Sequence, residues 1–148
     1  MRIPYSDLTQ IPIILDGEGK LPSKGYSGDA GWDLYTSRDV AIPPDKTTDT
    51  HTDIYIKIPN GMYGRLTGRS STLRKYGLLV NEAIIDSNYT GELFVCVRNM
   101  GTKTFYIKKG MRLAQIIFGL VLPIQFEITE EALREEGRGS NGFGSTGT

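Results

Sequence analysis

Three short stretches of the chain combine guanidinium, hydroxyl or carboxylate groups with glycine, a composition suited to binding an anion. The stretch GRSS, residues 68–71, places an arginine and two serines beside a flexible glycine, and such donors bind anionic oxygens. The C-terminal run GRGSNGFGSTGT, residues 137–148, offers glycine N–H groups and Arg138, and Phe143 could stack on a base. Asp86 follows two apolar residues in AIIDSNYTGEL. Taken singly, each stretch is also compatible with a surface turn or a frayed chain end.

Short strands must position these stretches. Residues 53–58, DIYIKI, alternate polar and apolar side chains, and the PNG that follows at 59–61 is typical of a turn. Further β-rich runs are ELFVCVR at 92–98, TFYIK at 104–108 and LAQIIFGLVLPIQFEI at 113–128. Turn residues recur about every ten positions, the spacing of a sandwich or barrel. The pattern predicts an all-β fold.

One helix is predicted near the C-terminus, over Thr129–Glu136. Thr129 is a suitable N-cap, the glutamates after it favour the positive end of the helix dipole, and Gly137 would end the helix. We therefore expect a single β-domain over residues 1–136, followed by a flexible Gly-rich arm over residues 137–148.

Composition narrows the possible functions. The 148 residues carry 17 Lys and Arg against 17 Asp and Glu, so no bulk charge favours nucleic acid or a membrane as partner. Cys96 and His51 are the only residues of their types, which excludes an internal disulfide and disfavours zinc sites built from His and Cys. The N-terminus has no apolar run long enough for a signal peptide or a membrane span. We expect a cytoplasmic protein, with a nuclear or virus-encoded one left open.

Considered together, five stretches resemble the five motifs of the trimeric dUTP pyrophosphatase family, in that family's order and near its spacing. The likeness runs from about Lys24 to the C-terminus. The motifs read AGWDLYTS at 30–37, GRSS at 68–71, AIIDSNYTGEL at 83–93, GMRLAQ at 110–115 and RGSNGFGSTG at 138–147. The resemblance implies a jelly-roll-like β-barrel that forms a homotrimer with active sites shared between subunits. It implies hydrolysis of dUTP to dUMP and pyrophosphate, which limits uracil in DNA and supplies dUMP for dTTP synthesis.

The resemblance also implies roles for individual residues. Asp86 would be the general base that activates a water to attack the α-phosphorus. Tyr89 would pack under the deoxyribose and leave no room for a 2′-OH, so that UTP is rejected. The backbone of Ala83, Ile84 and Ile85 would read the uracil edge.

Phosphate contacts would come from three of the motifs. Arg69, Ser70 and Ser71 would hold phosphate oxygens, helped by Gln115. Residues of the arm would close over a neighbouring subunit's site, gripping the β- and γ-phosphates and covering the uracil; they are Arg138, Phe143, Gly144, Ser145 and Thr146. Mg²⁺ would be held mainly by the triphosphate and water, with Asp33 nearby.

Four positions depart from the family pattern. Gly68 stands where Pro is usual, Ala83 where Gly is usual, Asn88 where a second Asp is common, and Met111 where an acidic residue is usual. The departures leave Asp86 and the arm intact.

Two alternatives stay open. A dCTP deaminase shares the fold, but it needs a Glu as proton shuttle where this chain has Cys96. An added regulatory role in binding a partner is the second alternative.

Overall fold

The computed structural model describes residues 8–130. Within that range the chain forms eleven strands and one helix: β1 Ile13–Leu15, β2 Gly31–Tyr35, β3 Val40–Ile42, β4 Thr47–Thr50, β5 Ile54–Ile56, β6 Met62–Gly68, α1 Ser70–Tyr76, β7 Leu78–Val80, β8 Ala83–Ile85, β9 Val95–Asn99, β10 Phe105–Ile107 and β11 Arg112–Leu120. The prediction of an all-β fold is confirmed.

Four small antiparallel sheets make up the structure. The largest has the strand order β2-β11-β6-β8, a second has the order β4-β9-β7, and β1-β5 and β10-β3 form two-stranded ladders. In the largest sheet, β11 lies between β2 and β6, with Gln115 opposite both Asp33 and Thr67. This arrangement brings the first, second and fourth motifs to one sheet.

The core follows from the strand alternation seen in the sequence. In β5 and its continuation, Ile54, Ile56 and Ile58 are buried while Lys57 is exposed. The buried apolar residues form one cluster: Leu34, Ile42, Ile54, Ile56, Ile58, Leu66, Leu78, Leu93, Val95, Val97, Ile107, Leu113, Ala114 and Ile116. Burial of each large side chain contributes about 1.5–3 kcal/mol, so this cluster drives the packing of the sheets.

The helix α1 lies in a segment whose sequence predicted a loop. No side chain caps its N-terminus at Arg69, and it ends at Gly77, which adopts the left-handed conformation at φ 65°. The Thr72 hydroxyl donates to Leu113 O at 2.7 Å, which ties the helix to β11. The helix predicted over 129–136 falls largely outside the described residues. No helix among residues 8–130 is both long and apolar enough to cross a membrane.

After β11 the chain continues as an extended, exposed segment. The apolar run predicted as strand at 113–128 forms regular ladder pairs only as far as Leu120. Beyond it, Leu122, Ile124, Phe126 and Ile128 alternate along the chain, and Phe126 and Ile128 are 95% and 101% exposed. This segment therefore leaves several apolar side chains exposed.

Candidate active site

The first of two polar regions is centred on Asp33, whose carboxylate is bound by two arginines. Arg69 follows the end of β6, and its Nε lies 3.0 Å from Asp33 Oδ1. Arg112 begins β11, and its Nη1 lies 3.4 Å from Asp33 Oδ2. Arg69 Nη1 also donates to Arg112 O at 3.0 Å. Two guanidinium groups against one carboxylate leave a net positive charge here, so the cluster, called below the Asp33 cluster, suits an anionic ligand.

The start of helix α1 adds further donors beside Arg69. Ser70 and Ser71 are its first two residues, and no side chain caps that end. The first N–H groups of a helix have no intrahelical acceptor, and together with the helix dipole they favour an anion. The second motif thus offers one guanidinium, two hydroxyls and backbone N–H groups in one place.

Gln115 is held between β6 and a glycine of β2. Its Nε2 donates to Gly68 O at 3.2 Å. A Cβ added to Gly31 would lie 2.0 Å from Gln115 Oε1, so only glycine at position 31 leaves room for this side-chain position. Gly31 of the first motif therefore makes room for the side-chain position of Gln115, which belongs to the fourth motif.

The second polar region is a cavity of 510 Å³ formed by β8 and the segment after it. Its lining includes Ala83, Ile84, Ile85, Asp86, Asn88, Tyr89, Glu92 and Phe94. Asp86 directly follows β8 and is exposed. Its carbonyl accepts the Tyr89 N–H at 3.1 Å, which turns the chain and brings the Tyr89 ring to the same cavity. A carboxylate, an aromatic ring and backbone edges thus surround one space.

Behind this cavity lies a cluster of ionisable groups that the sequence analysis did not identify. Glu92 accepts hydrogen bonds from His51 Nδ1 at 3.0 Å and from the Asp53 N–H at 2.9 Å. Burial alone would raise the pKa of Asp53, but hydrogen bonds, including that from the Glu18 N–H, and the Arg38 guanidinium hold this pKa below its usual value. His51, Asp53 and Glu92 lie close enough to form a possible metal-binding group, with ligand atoms within 4.8 Å of one another. His51 and Glu92 are 41 positions apart, so no local sequence signal joins them.

The Asp33 cluster and the Asp86 cavity lie apart within one chain. The pairing of Gly64 with Ile85 puts Asp86 level with the start of β6, whereas Arg69 follows its end. Six residues of strand at about 3.3 Å each separate them by about 20 Å. A general base must lie within about 2.6–3.2 Å of the group it deprotonates, so Asp86 and Arg69 of one chain do not meet at the same phosphate.

The structure therefore brings together Asp33, Arg69, Ser70, Ser71 and Gln115 in one region, and Ala83, Ile84, Ile85, Asp86 and Tyr89 in another. The arm residues Arg138, Phe143, Gly144, Ser145 and Thr146 lie outside the described residues. Arg112 joins the first group, although the resemblance implied no role for this residue of the motif GMRLAQ.

The fold and these regions define the class: an all-β protein with a positively charged cluster on one sheet and a cavity bearing a carboxylate. The dUTPase family model matches residues 17–147. The deoxyuridine 5′-triphosphate nucleotidohydrolase of Fowlpox virus (strain NVSL) is 42% identical over 135 residues, which are 90% of this chain and 93% of the relative. The chain belongs to the dUTPase family, and the resemblance seen in the sequence is confirmed.

Solved structures agree on the fold. A variant of the dUTPase of Staphylococcus bacteriophage 80alpha, solved with dUpNHpp, superposes with a TM-score of 0.87 at 24% identity, covering 95% of this chain and 100% of that one. A variant of the dUTPase from phage phi11 of S. aureus, described with a structural Mg(II) ion, gives a TM-score of 0.78 at 23% identity, covering 83% and 98%. The jelly-roll-like dUTPase fold expected from the sequence is confirmed.

Proposed function

We propose that this protein is a dUTP diphosphatase, which hydrolyses dUTP to dUMP and pyrophosphate. The observation that carries the proposal is the match of the family model over residues 17–147, a range that includes all five motifs. A relative named for this activity is 42% identical over nearly its whole length. Removal of dUTP would limit uracil in DNA, and the dUMP formed would supply dTTP synthesis.

In the proposed mechanism, Asp86 is the general base. Its carboxylate orients a water and accepts its proton as the water oxygen attacks the α-phosphorus. The bond from that phosphorus to the oxygen bridging to the β-phosphate breaks, and pyrophosphate leaves. A positioned base typically contributes about 10²–10⁴-fold. The exposed position of Asp86 beside the cavity supports this role.

Phosphate binding is assigned to the second, fourth and fifth motifs. Arg69, Ser70, Ser71 and Gln115 would hold phosphate oxygens, a role supported by the positive charge of the Asp33 cluster and by the two serines at the start of α1 beside it. The arm at 137–148 would act as a segment separate from the domain at 1–136. Its Arg138, Gly144, Ser145 and Thr146 would grip the β- and γ-phosphates while Phe143 covers the uracil, which excludes water from the reaction.

Sugar and base would be read by the third motif. The proposed place of Tyr89 is under the deoxyribose, and the backbone of Ala83, Ile84 and Ile85 would pair with the uracil edge. The cavity lined by these four residues supports the assignment. A ring against the sugar leaves no space for a 2′-OH, so UTP is expected to be a poor substrate.

Magnesium is the proposed cofactor. Mg²⁺ prefers oxygen ligands and is usually bound through one or two carboxylates plus substrate phosphates. Asp33 would lie near the ion as the carboxylate among the phosphate-binding residues, while the triphosphate and water hold the ion itself, because both Asp33 oxygens already bind a guanidinium. The ion would neutralise charge on the phosphates.

The proposed assembly is a homotrimer with shared sites. Because Asp86 and Arg69 lie about 20 Å apart along β6, we place the general base and the phosphate-binding arginine of one site on different subunits. The exposed apolar segment after β11 offers surface for such an assembly. One subunit would give Asp86 and Tyr89, a second the phosphate-binding residues, and a third its arm.

The two alternatives gain no support from the structure. Cys96 lies on β9, where burial raises the pKa of its thiol, as does the nearby Asp49, and a neutral thiol does not replace the Glu that a deaminase requires. An added regulatory role stays a prediction, as does a cytoplasmic location.

A product assay tests the proposal. Purified protein with Mg²⁺ is given dUTP, dCTP, dTTP and UTP in parallel. We expect pyrophosphate from dUTP alone. Release of ammonia from dCTP would show that the protein is a dCTP deaminase instead. Absence of turnover of every nucleotide would refute the proposed dUTP diphosphatase activity. Light scattering on the same sample gives the number of subunits.

A further inference from the structure

The position of the Tyr89 ring depends on the backbone of the two residues that complete its turn. The Tyr89 hydroxyl donates to Glu92 O at 2.7 Å. A Cβ on Gly91 would lie 2.6 Å from the Tyr89 hydroxyl oxygen and 2.8 Å from Cζ, so the ring packs directly on the Gly91 backbone. The place of this aromatic side chain is thus set by the path of residues 91–92.

That path is fixed in turn by the side chain of Glu92. Its carboxylate is buried, with 8% of the side chain exposed, and receives the Asp53 N–H and His51 Nδ1. The next residue, Leu93, donates its N–H to Ile54 O at 3.0 Å. A buried carboxylate is retained only where donors of this kind compensate its lost hydration. The Glu92 side chain and the Leu93 N–H therefore both tie this part of the chain to residues 51–54.

The donors are themselves held in place. Asp53 adopts a positive φ of 55°, a conformation unfavourable for most residues, and its carboxylate is bound by Arg38 at 3.1 Å. The His51 ring packs edge-on against Phe94, with centroids 5.1 Å apart, and Phe94 lines the same cavity as Tyr89. A continuous set of contacts joins this cluster to the Tyr89 ring.

We propose that Glu92 is a positioning residue for Tyr89, and that His51 and the Asp53 backbone act through it, so that discrimination between deoxyribose and ribose depends on this buried cluster. The inference rests on the proposed function, in which Tyr89 contacts the sugar. Glu92 does not touch the nucleotide in this scheme. It keeps the ring where a 2′-OH would collide with it.

The test compares Glu92→Ala with Glu92→Gln. Alanine removes the acceptor for both donors, whereas a single Gln carbonyl oxygen in the place of Oε1 can still receive the Asp53 N–H and His51 Nδ1. We expect Glu92→Ala to lower the ratio of kcat/KM for dUTP to that for UTP by about three- to tenfold, mainly because kcat/KM for UTP rises when the collision with the 2′-OH is relieved. Glu92→Gln should restore most of the ratio. Adding Tyr89→Phe to Glu92→Ala should lower the ratio little further, because the two act as one unit.

Asp45→Asn is the matched control, because Asp45 is a second carboxylate with positive φ and an arginine partner, Arg98. It is far from the cavity residues in the fold, on the turn between β3 and β4, and should keep the wild-type ratio. An unchanged ratio in Glu92→Ala, or a Gln variant as impaired as the Ala variant, would overturn the inference.

Amide hydrogen exchange separates this inference from the proposed function. Exchange in residues 86–93 should rise in Glu92→Ala and stay near wild type in Glu92→Gln, whether or not the protein hydrolyses dUTP. Absence of dUTP hydrolysis by the wild-type protein refutes the proposed function alone. Unchanged exchange in Glu92→Ala refutes the positioning role even in an active enzyme.

Discussion

The substitution Gly31→Ala would displace Gln115 while leaving the fold intact. The new Cβ would lie 2.0 Å from Gln115 Oε1 and 2.8 Å from its Cδ, distances at which one group must move. Both atoms belong to the free end of a flexible side chain, so the side chain turns away rather than the strand. The hydrogen bond from Gln115 Nε2 to Gly68 O is then lost.

Stability and activity should respond differently. Losing a neutral hydrogen bond costs about 0.5–1.5 kcal/mol, and replacing glycine by alanine recovers about 0.4–1 kcal/mol from the unfolded chain. The free energy of unfolding therefore changes by less than about 1 kcal/mol, or a few degrees in Tm. A Gln115 hydrogen bond to a charged phosphate is worth about 1.5–3 kcal/mol, so kcat/KM should fall about 10- to 150-fold.

Pyrophosphate release and thermal unfolding measure the two effects on the same preparation. Gly28→Ala is the control, since a Cβ there meets nothing within 4 Å. Gln115→Ala should match the activity loss of Gly31→Ala, and the double variant should be little worse than either. Wild-type activity in Gly31→Ala, or a loss of activity that follows a large loss of stability, would refute the reasoning.

Three further outcomes are expected. Asp86→Asn should still bind dUTP while turnover falls by about 10²–10⁴-fold; retained turnover in a steady-state assay would remove Asp86 as the base. Deletion of residues 138–148 should leave a trimer by light scattering with strongly reduced hydrolysis, and an unaffected rate would contradict the role of the arm. Burial raises the pKa of Asp53 in the folded state, but hydrogen bonding outweighs burial and lowers this pKa below its usual value. The ionised Asp53 therefore stabilises the fold at neutral pH, and this stabilisation is lost as the pH falls below about 3.9. In urea unfolding at neutral and acid pH, Asp53→Asn should lose less stability on acidification than the wild-type protein, and an equal loss in both would show that Asp53 is not the group concerned.

The strands could be predicted because their signal is local. In DIYIKI, the alternation of side chains is sufficient to place Ile54, Ile56 and Ile58 in the core and Lys57 in solvent, as the structure shows. Neighbouring residues on a strand point to opposite faces. A pattern of this kind needs no knowledge of which strand lies alongside.

Helix α1 could not be predicted in the same way, because tertiary contacts stabilise it. Its sequence SSTLRKY has no capping side chain, and its buried residue is Thr72, whose hydroxyl bonds to Leu113 on a distant strand. Only Gly77, in the left-handed conformation at its end, is a usual helix-stop signal. With so little apolar periodicity, the local sequence favoured a loop.

Some residues of the candidate site could likewise be predicted from the sequence, and others could not. Motif resemblance identified Asp33, Arg69 and Gln115, and the sheet pairing that joins them is consistent with a common task. The Glu92–His51 contact could not be found in this way, because it joins residues 41 positions apart in the sequence. Side chains that act through another residue carry no motif of their own, and only the fold reveals them.

The segment after β11 connects the fold of one chain with the proposed contact between subunits. Its alternating apolar residues form a strand pattern, yet they are exposed: Leu122, Ile124, Phe126 and Ile128. Burying four such side chains contributes about 6–12 kcal/mol, which offsets part of the cost of association of about 4–15 kcal/mol. A chain that keeps this pattern and leaves it uncovered is expected to bury it against another copy. The same assembly would also bring the Asp33 cluster of one subunit to the Asp86 cavity of another, so loss of the trimer on replacing Ile124 and Phe126 by serine should abolish hydrolysis without unfolding the β-domain.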